Sequence, residues 1–230
     1  MKRLLKTVLI KTLPVMTGYI ALGIGFGILL YSKGYGILWS ILMAVFVYAG
    51  SMQYAAVNLI TGGASLITTA LTTLFVNARH LFYGISMLEK YKGAGAKKPY
   101  LIFALTDETY SLLCGDDYPE DMNKDKYQFF VSLFNHIYWI IGCALGSIIG
   151  LAIPFNTAGI DFCMTALFVT IFIEQWLSTK EHLPALIGLL SSVICLVIFG
   201  KDAFLIPSMV LITLLLILFK KQLSKEDNNG

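Results

Sequence analysis

Long apolar runs, separated by short polar or glycine-rich breaks, dominate this chain. Read as helices, they fall at about 12–31, 36–60, 65–88, 99–113, 128–153, 159–177, 184–200 and 204–219. An apolar run of about 18 residues or more reads as a membrane span, and most of these reach or approach that length. The run at 99–113 is the short one. It gives roughly 22 Å of helix, against a hydrocarbon core of roughly 30 Å. The pattern therefore predicts an all-α, polytopic integral membrane helix bundle with seven or eight transmembrane segments, some of them discontinuous or re-entrant. It also predicts one transmembrane domain over 1–230, with short basic cytoplasmic ends at 1–11 and 220–230.

Glycine marks where helices can pack or break. Gly23 and Gly27 stand in a GxxxG relation in the first run, beside Gly18 and Gly25, and Gly142, Gly146 and Gly150 repeat that spacing in the fifth. Small residues at this spacing let two helix backbones approach closely. In the second run, Ala49-Gly50-Ser51 sits near the centre, followed by Gln53. A Gly-Ser pair in mid-helix is either a kink, whose freed backbone groups can hold ions or substrate, or a packing glycine with hydroxyl back-bonding. Both readings stay open.

The run at 65–88 carries the costliest residues. Near its middle stand Asn77, Arg79 and His80. A mid-membrane arginine costs about 2.5–3.5 kcal/mol, and each Leu, Ile, Phe or Val returns about 0.3–0.6 kcal/mol. Such a segment should face protein or water, with its charge paired. On a continuous helix Thr69, Thr73, Asn77, His80 and Gly84 form one stripe toward the bundle interior. Asp107 and Glu108 in the fourth run are the obvious partners for Arg79. The fifth run adds Asn135 and His136, and places Ser132, His136, Trp139 and Cys143 on one face. The alternative is a buried ion pair that only fixes helix register. One conflict arises downstream. Lys90, Lys92, Lys97 and Lys98 form a basic loop that three full crossings would place outside, against the positive-inside rule. A re-entrant segment among the first three would remove it.

Composition agrees with the membrane reading. Of 230 residues 57% are hydrophobic and only 13% charged, where soluble domains carry about 25% charged residues. The net charge of +3 comes from basic residues at segment ends, which implies contact with membrane lipids and no nucleic-acid partner. Cys114, Cys143, Cys163 and Cys195 form no CxxC pair, so no disulfide framework, metal site or cofactor follows from them. No phosphate-binding GxxxxGK[ST] loop is present, so ATP hydrolysis is not expected of this chain alone.

Three clusters carry a family resemblance: Tyr48-Ala49-Gly50-Ser51-Met52-Gln53, Asn77-Ala78-Arg79-His80 with Tyr83-Gly84, and Thr106-Asp107-Glu108. In these clusters, and in length and order of segments, the chain resembles the AzlC family, large subunits of two-component branched-chain amino acid exporters. The resemblance implies a multi-pass plasma-membrane protein that is not an enzyme. It would export Leu, Ile and Val, with Met and analogues such as azaleucine as further candidates, beside a small AzlD-like membrane subunit. Secondary, ion- or proton-coupled transport is the mechanism expected. The candidate substrate or ion pathway comprises Gly50, Ser51, Gln53, Asn77, Arg79, His80, Asp107, Glu108, Asn135 and His136. A non-transporting scaffold subunit and a membrane-embedded metal enzyme are the competing readings. Reconstitution with and without the small partner tests the first, and metal analysis tests the second.

Overall fold

The computed structural model describes residues 1–114, 122–152, 161–178, 182–200 and 204–226, and among them every regular element is helical. The helices are α1 (Lys2–Ser32), α2 (Ile37–Phe46), α3 (Gly50–Thr61), α4 (Leu66–Val76), α5 (Ala78–Met87), α6 (Lys98–Phe103), α7 (Asp107–Leu113), α8 (Lys124–Ala152), α9 (Asp161–Ser178), α10 (Leu183–Phe199) and α11 (Leu205–Glu226). Two compact units result, 1–167 and 168–230. In the second, α10 packs on α11, with Leu189, Val197 and Leu218 turned outward.

The first unit is built on α1 and α8, which among the described residues are the helices long and apolar enough to cross a bilayer unaided. They run parallel. Thr12 meets Tyr138, with 3.2 Å between hydroxyls, Gly23 meets Gly142, and Tyr31 meets Gly150. The glycines are what allow this approach. A Cβ on Gly23 would lie 2.8 Å from the Cys143 nitrogen, one on Gly27 would lie 2.6 Å from the Ser147 nitrogen, and one on Gly142 would lie 2.8 Å from the Tyr19 carbonyl. Ser147 Oγ also donates to the Gly27 carbonyl at 3.3 Å. The GxxxG spacings of the first and fifth runs are thus two halves of one seam.

Between these two helices the chain makes two hairpins from opposite ends. α2 descends from the C-terminal end of α1. Ser40 Oγ donates to the Cys143 carbonyl at 3.1 Å, and one turn on, His136 Nε2 donates to the Ala44 carbonyl at 3.2 Å. At Val47–Ala49 the helix stops, with Tyr48 at φ +43°. That left-handed conformation is strained for a bulky residue. Burial and a stacking contact with His136, 4.1 Å between rings, hold it. α3 then starts at Gly50, against Trp139, and climbs back, so that the Tyr54 hydroxyl donates to the Leu22 carbonyl at 2.7 Å. At 10 and 12 residues, the two helices measure about 15 and 18 Å, too short to cross a core of about 30 Å. The second apolar run is a re-entrant hairpin rather than a crossing.

The third run does cross, but as two helices. α4 ends at Val76, Asn77 takes φ −95° and ψ 3°, and α5 begins at Ala78. This corrects the single continuous stripe. Thr69 and Thr73 turn their hydroxyls onto their own helix, toward the Ser65 and Thr69 carbonyls, and Thr72 is the threonine of α4 that is buried. The outer face, with Leu66, Ile67, Phe82 and Ile85 exposed, suits lipid.

After α5, Tyr91 and Ala94 pack with Met87 against Leu4, Val8 and Tyr127. The basic loop therefore lies at the same end of the bundle as the start of α1, and the conflict with the positive-inside rule disappears. From that loop α6 rises to Phe103, the chain breaks at Ala104–Thr106, and α7 returns so that Leu113 rejoins the cluster around Leu4. Lys90 Nζ donates to the Cys114 carbonyl, closing this second hairpin on the loop. The fourth run is also re-entrant. In a background free of native cysteines, a Lys92→Cys variant is expected to react with an impermeant maleimide from the same membrane side as Lys2→Cys, and from the side opposite Lys33→Cys. Labelling of Lys92→Cys together with Lys33→Cys would refute the hairpin topology.

Candidate functional site

The breaks of the three interrupted segments meet at the level of Tyr19 and Trp139. Each is followed by polar residues in the first turn of a short helix. These are Gly50 and Ser51 on α3, Arg79 and His80 on α5, and Asp107 and Glu108 on α7. Arg79 joins them. Its Nη1 lies 2.6 Å from Asp107 Oδ2, and its Nη2 donates to Ser51 Oγ at 2.8 Å. His80 Nε2 stands 3.8 Å from the other Asp107 oxygen. One guanidinium thus bridges the tips of two hairpins that enter from opposite ends.

Glu108 is engaged differently. Tyr19 on α1 donates its hydroxyl to Glu108 Oε2 at 2.6 Å, and the same hydroxyl lies 2.6 Å from Thr106 Oγ1. Thr106 caps α7, accepting from the Thr109 amide at 3.3 Å and donating to the Thr109 hydroxyl at 3.0 Å. Asn135, fully buried on α8, donates to that same hydroxyl at 3.0 Å. Side-chain capping of this kind contributes about 0.5–2 kcal/mol to a helix.

The α8 face supplies the floor. Trp139 Nε1 donates to Gln53 Oε1 at 2.8 Å. An indole N–H can only donate, so the orientation of the Gln53 amide is fixed with its NH2 directed away from Trp139. His136 donates through Nε2 to a carbonyl, which can only accept, so its neutral ring takes the Tyr100 hydroxyl at Nδ1, 3.1 Å away. Tyr48 covers that ring, and Phe103 lies 5.8 Å from it.

All ten sequence-derived candidates thus border one region or a neighbouring layer of it. Gly50, Ser51, Arg79, His80, Asp107 and Glu108 stand at the junction, and Asn77 is the break residue between α4 and α5. Gln53, Asn135 and His136 line the α8 side. Sequence reasoning named Tyr48, Thr106 and Thr109 and placed Trp139 on the face of His136 without giving any of them a partner, and it missed Tyr19. The available signal for Tyr19 was its isolation in an apolar, glycine-rich run, because a buried phenol needs a hydrogen-bond partner.

Helices throughout, apolar outer surfaces, two re-entrant hairpins and a charged junction deep between them define an all-α, polytopic integral membrane helix bundle. The AzlC protein family matches residues 14–153, and the chain belongs to that family. A protein of Bacillus subtilis named branched-chain amino acid transport protein AzlC is 46% identical, covering 94% of this chain and 85% of its own length. An uncharacterised membrane protein of Haemophilus influenzae is 45% identical over 89% of this chain and 84% of its own. The inner membrane protein YgaZ of Escherichia coli is 24% identical over 79% and 78%. No solved structure matches the chain.

Proposed function

We propose that this chain is the large subunit of a plasma-membrane exporter of branched-chain amino acids, and that the substrate binds where the two hairpin tips meet. The observation that carries this reading is that the junction holds a cation and a second acid engaged by different partners. Arg79 contacts Asp107 and Ser51 in the first turn of α3, and Glu108 is held by Tyr19. A zwitterion needs donors for its carboxylate and an acceptor for its ammonium. Arg79 Nε is buried and has no partner among the described residues, so the guanidinium can take a carboxylate beside Ser51 while exchanging its contact with Asp107. Glu108 holds the ammonium, and the aromatic rings of Tyr48 and Phe103, 6.2 Å apart, provide apolar surface for a branched side chain.

Transport is secondary and ion- or proton-coupled. The hairpins supply the two gates that alternating access requires, one at each end of the bundle. The positive-inside rule places the basic loop and the start of α1 in the cytoplasm. Export direction and a small AzlD-like partner follow from the family resemblance. The 46% identical relative, named for branched-chain amino acid transport, supports the substrate class.

The test is counterflow of labelled leucine in liposomes, with and without the small subunit. Glu108→Gln keeps the hydrogen bond from Tyr19 but removes the negative charge. A charge-assisted hydrogen bond of about 1.5–3 kcal/mol predicts a leucine affinity reduced about tenfold to hundredfold. Unchanged affinity would remove Glu108 from the site. Direction is tested in cells fed leucine-containing dipeptides. Deletion should raise intracellular leucine, and no difference from the parent strain would count against export.

A further inference from the structure

Three oxygens on one face of α8 stand out. Gln128 Oε1, Ser132 Oγ and Asn135 Oδ1 are buried, and each lacks a hydrogen-bond partner among the described residues. The side chains are 3%, 0% and 0% exposed. Buried polar atoms are nearly always satisfied, by protein or by ordered water. Ser132 is the informative one. Thr12, Thr61 and Thr73 all turn their hydroxyls back onto carbonyls of their own helices, the default for a hydroxyl in mid-helix. Ser132 does not.

The three positions share a helix face and climb α8 from near its start to the level of the junction. At about 1.5 Å per residue the successive positions rise by roughly 6 and 4.5 Å along the helix, steps that one or two waters hydrogen-bonded at about 2.8 Å can bridge. Above Asn135 the row continues as a line of close polar contacts. Asn135 and Thr106 each donate to the Thr109 hydroxyl at 3.0 Å, the Thr106 and Tyr19 hydroxyl oxygens stand 2.6 Å apart, and Tyr19 donates to Glu108 at 2.6 Å. The lower end, at Gln128, lies beside Tyr127, which packs with Leu4 and Tyr91 at the same end of the bundle as the start of α1 and the basic loop.

We propose that Gln128, Ser132 and Asn135 hold a file of waters that conducts protons between the cytoplasmic end and Glu108. The proposal rests on the transport reading above and names its coupling ion. A proton leaves Glu108 as its carboxyl O–H breaks, passes along the file, and is released as hydronium, leaving a carboxylate. The reverse transfer restores the acid, and no electrons move. The carboxylate can hold a proton or a substrate ammonium, but not both, so the two exchange at one group. The groups facing Glu108 are Tyr19 from α1, Tyr48 from the α2–α3 break, Arg79 and His80 on α5 and Asp107 on α7, with His136 on α8 behind Tyr48. None of these lies in the file below Asn135.

The experiment uses the reconstituted protein with its partner subunit, labelled leucine, and a pH-sensitive dye trapped in the vesicles. Ser132→Val replaces the hydroxyl with methyl groups and cannot bond water. It should keep leucine counterflow within about twofold while lowering leucine-dependent proton movement about tenfold or more. Ser132→Thr, which keeps a hydroxyl, should restore proton movement. Gln128→Leu, at the entrance of the file, is read by the same criterion should Ser132→Val melt below the assay temperature. Proton movement at the wild-type rate in the folded variants overturns the path. So does wild-type counterflow with no proton movement, which leaves the transport reading standing. Absence of counterflow in the wild type overturns the transport reading itself.

Discussion

Gly146→Val is expected to leave no folded protein in the membrane, while Gly18→Ala leaves yield and thermal midpoint near those of the wild type. The contrast follows from what each new Cβ would meet. At Gly146 it would collide with the Ile24 carbonyl oxygen and stand 2.7 Å from the Ile24 Cα, all backbone atoms of α1. Backbone cannot rotate aside as a side chain can. The helices would have to separate along the seam, which also carries Gly23, Gly27 and Gly142. Overpacking typically costs about 1–3 kcal/mol, and a valine wedged between two backbones lies at or beyond the upper end of that range. Net stabilities are only about 5–15 kcal/mol. At Gly18 nothing lies within 4 Å, and alanine gains up to about 1 kcal/mol of helix propensity over glycine. Both variants are read by membrane yield and by thermal melting of the detergent-solubilised protein. A folded Gly146→Val protein with an unchanged midpoint would show that α1 and α8 do not pack as described.

This seam was legible in the sequence because close backbone approach needs small residues at a fixed helical interval, and few other needs produce that pattern. The interruptions were less so. Gly50 marked one, but the chain actually turns at Tyr48, whose left-handed backbone depends on the stacking of His136 from another helix. Asn77 and the Ala104–Thr106 break carry neither glycine nor proline. They are imposed by what α5 and α7 bind across the bundle, and a helical wheel that assumes continuity carries Thr69 and Thr73 onto the wrong stripe. The pairing of Arg79 with an acid of the fourth run was readable, since an isolated charge at that depth is too costly to keep. Which acid it takes was not readable. Asp107 and Glu108 are neighbours about 100° apart on α7, and only the position of Tyr19 on α1 separates their roles.

Arg79→Ala should abolish leucine counterflow and lower stability together, and a charge swap should separate the two effects. Removing one partner of a buried ion pair costs about 3–5 kcal/mol. Here the side chains are 22% and 30% exposed, so solvent screening reduces the figure to about 2–3 kcal/mol. The transport loss should be greater, about hundredfold or more, because the alanine removes the donors for the substrate carboxylate as well as the tie between Ser51 and Asp107. Arg79→Lys should recover only part of either property. An ammonium carries the charge but lacks the planar fork that reaches Ser51 and Asp107 at once. In the double variant Arg79→Asp with Asp107→Arg, the ion pair re-forms in reverse. Thermal stability should then return toward the wild-type value relative to either single variant. Counterflow should not return, because a carboxylate now stands beside Ser51 where the substrate carboxylate would bind. Recovery of transport along with stability would assign the pair a purely structural role. Failure of the double variant to regain stability over both single variants would remove the support for the Arg79–Asp107 contact itself.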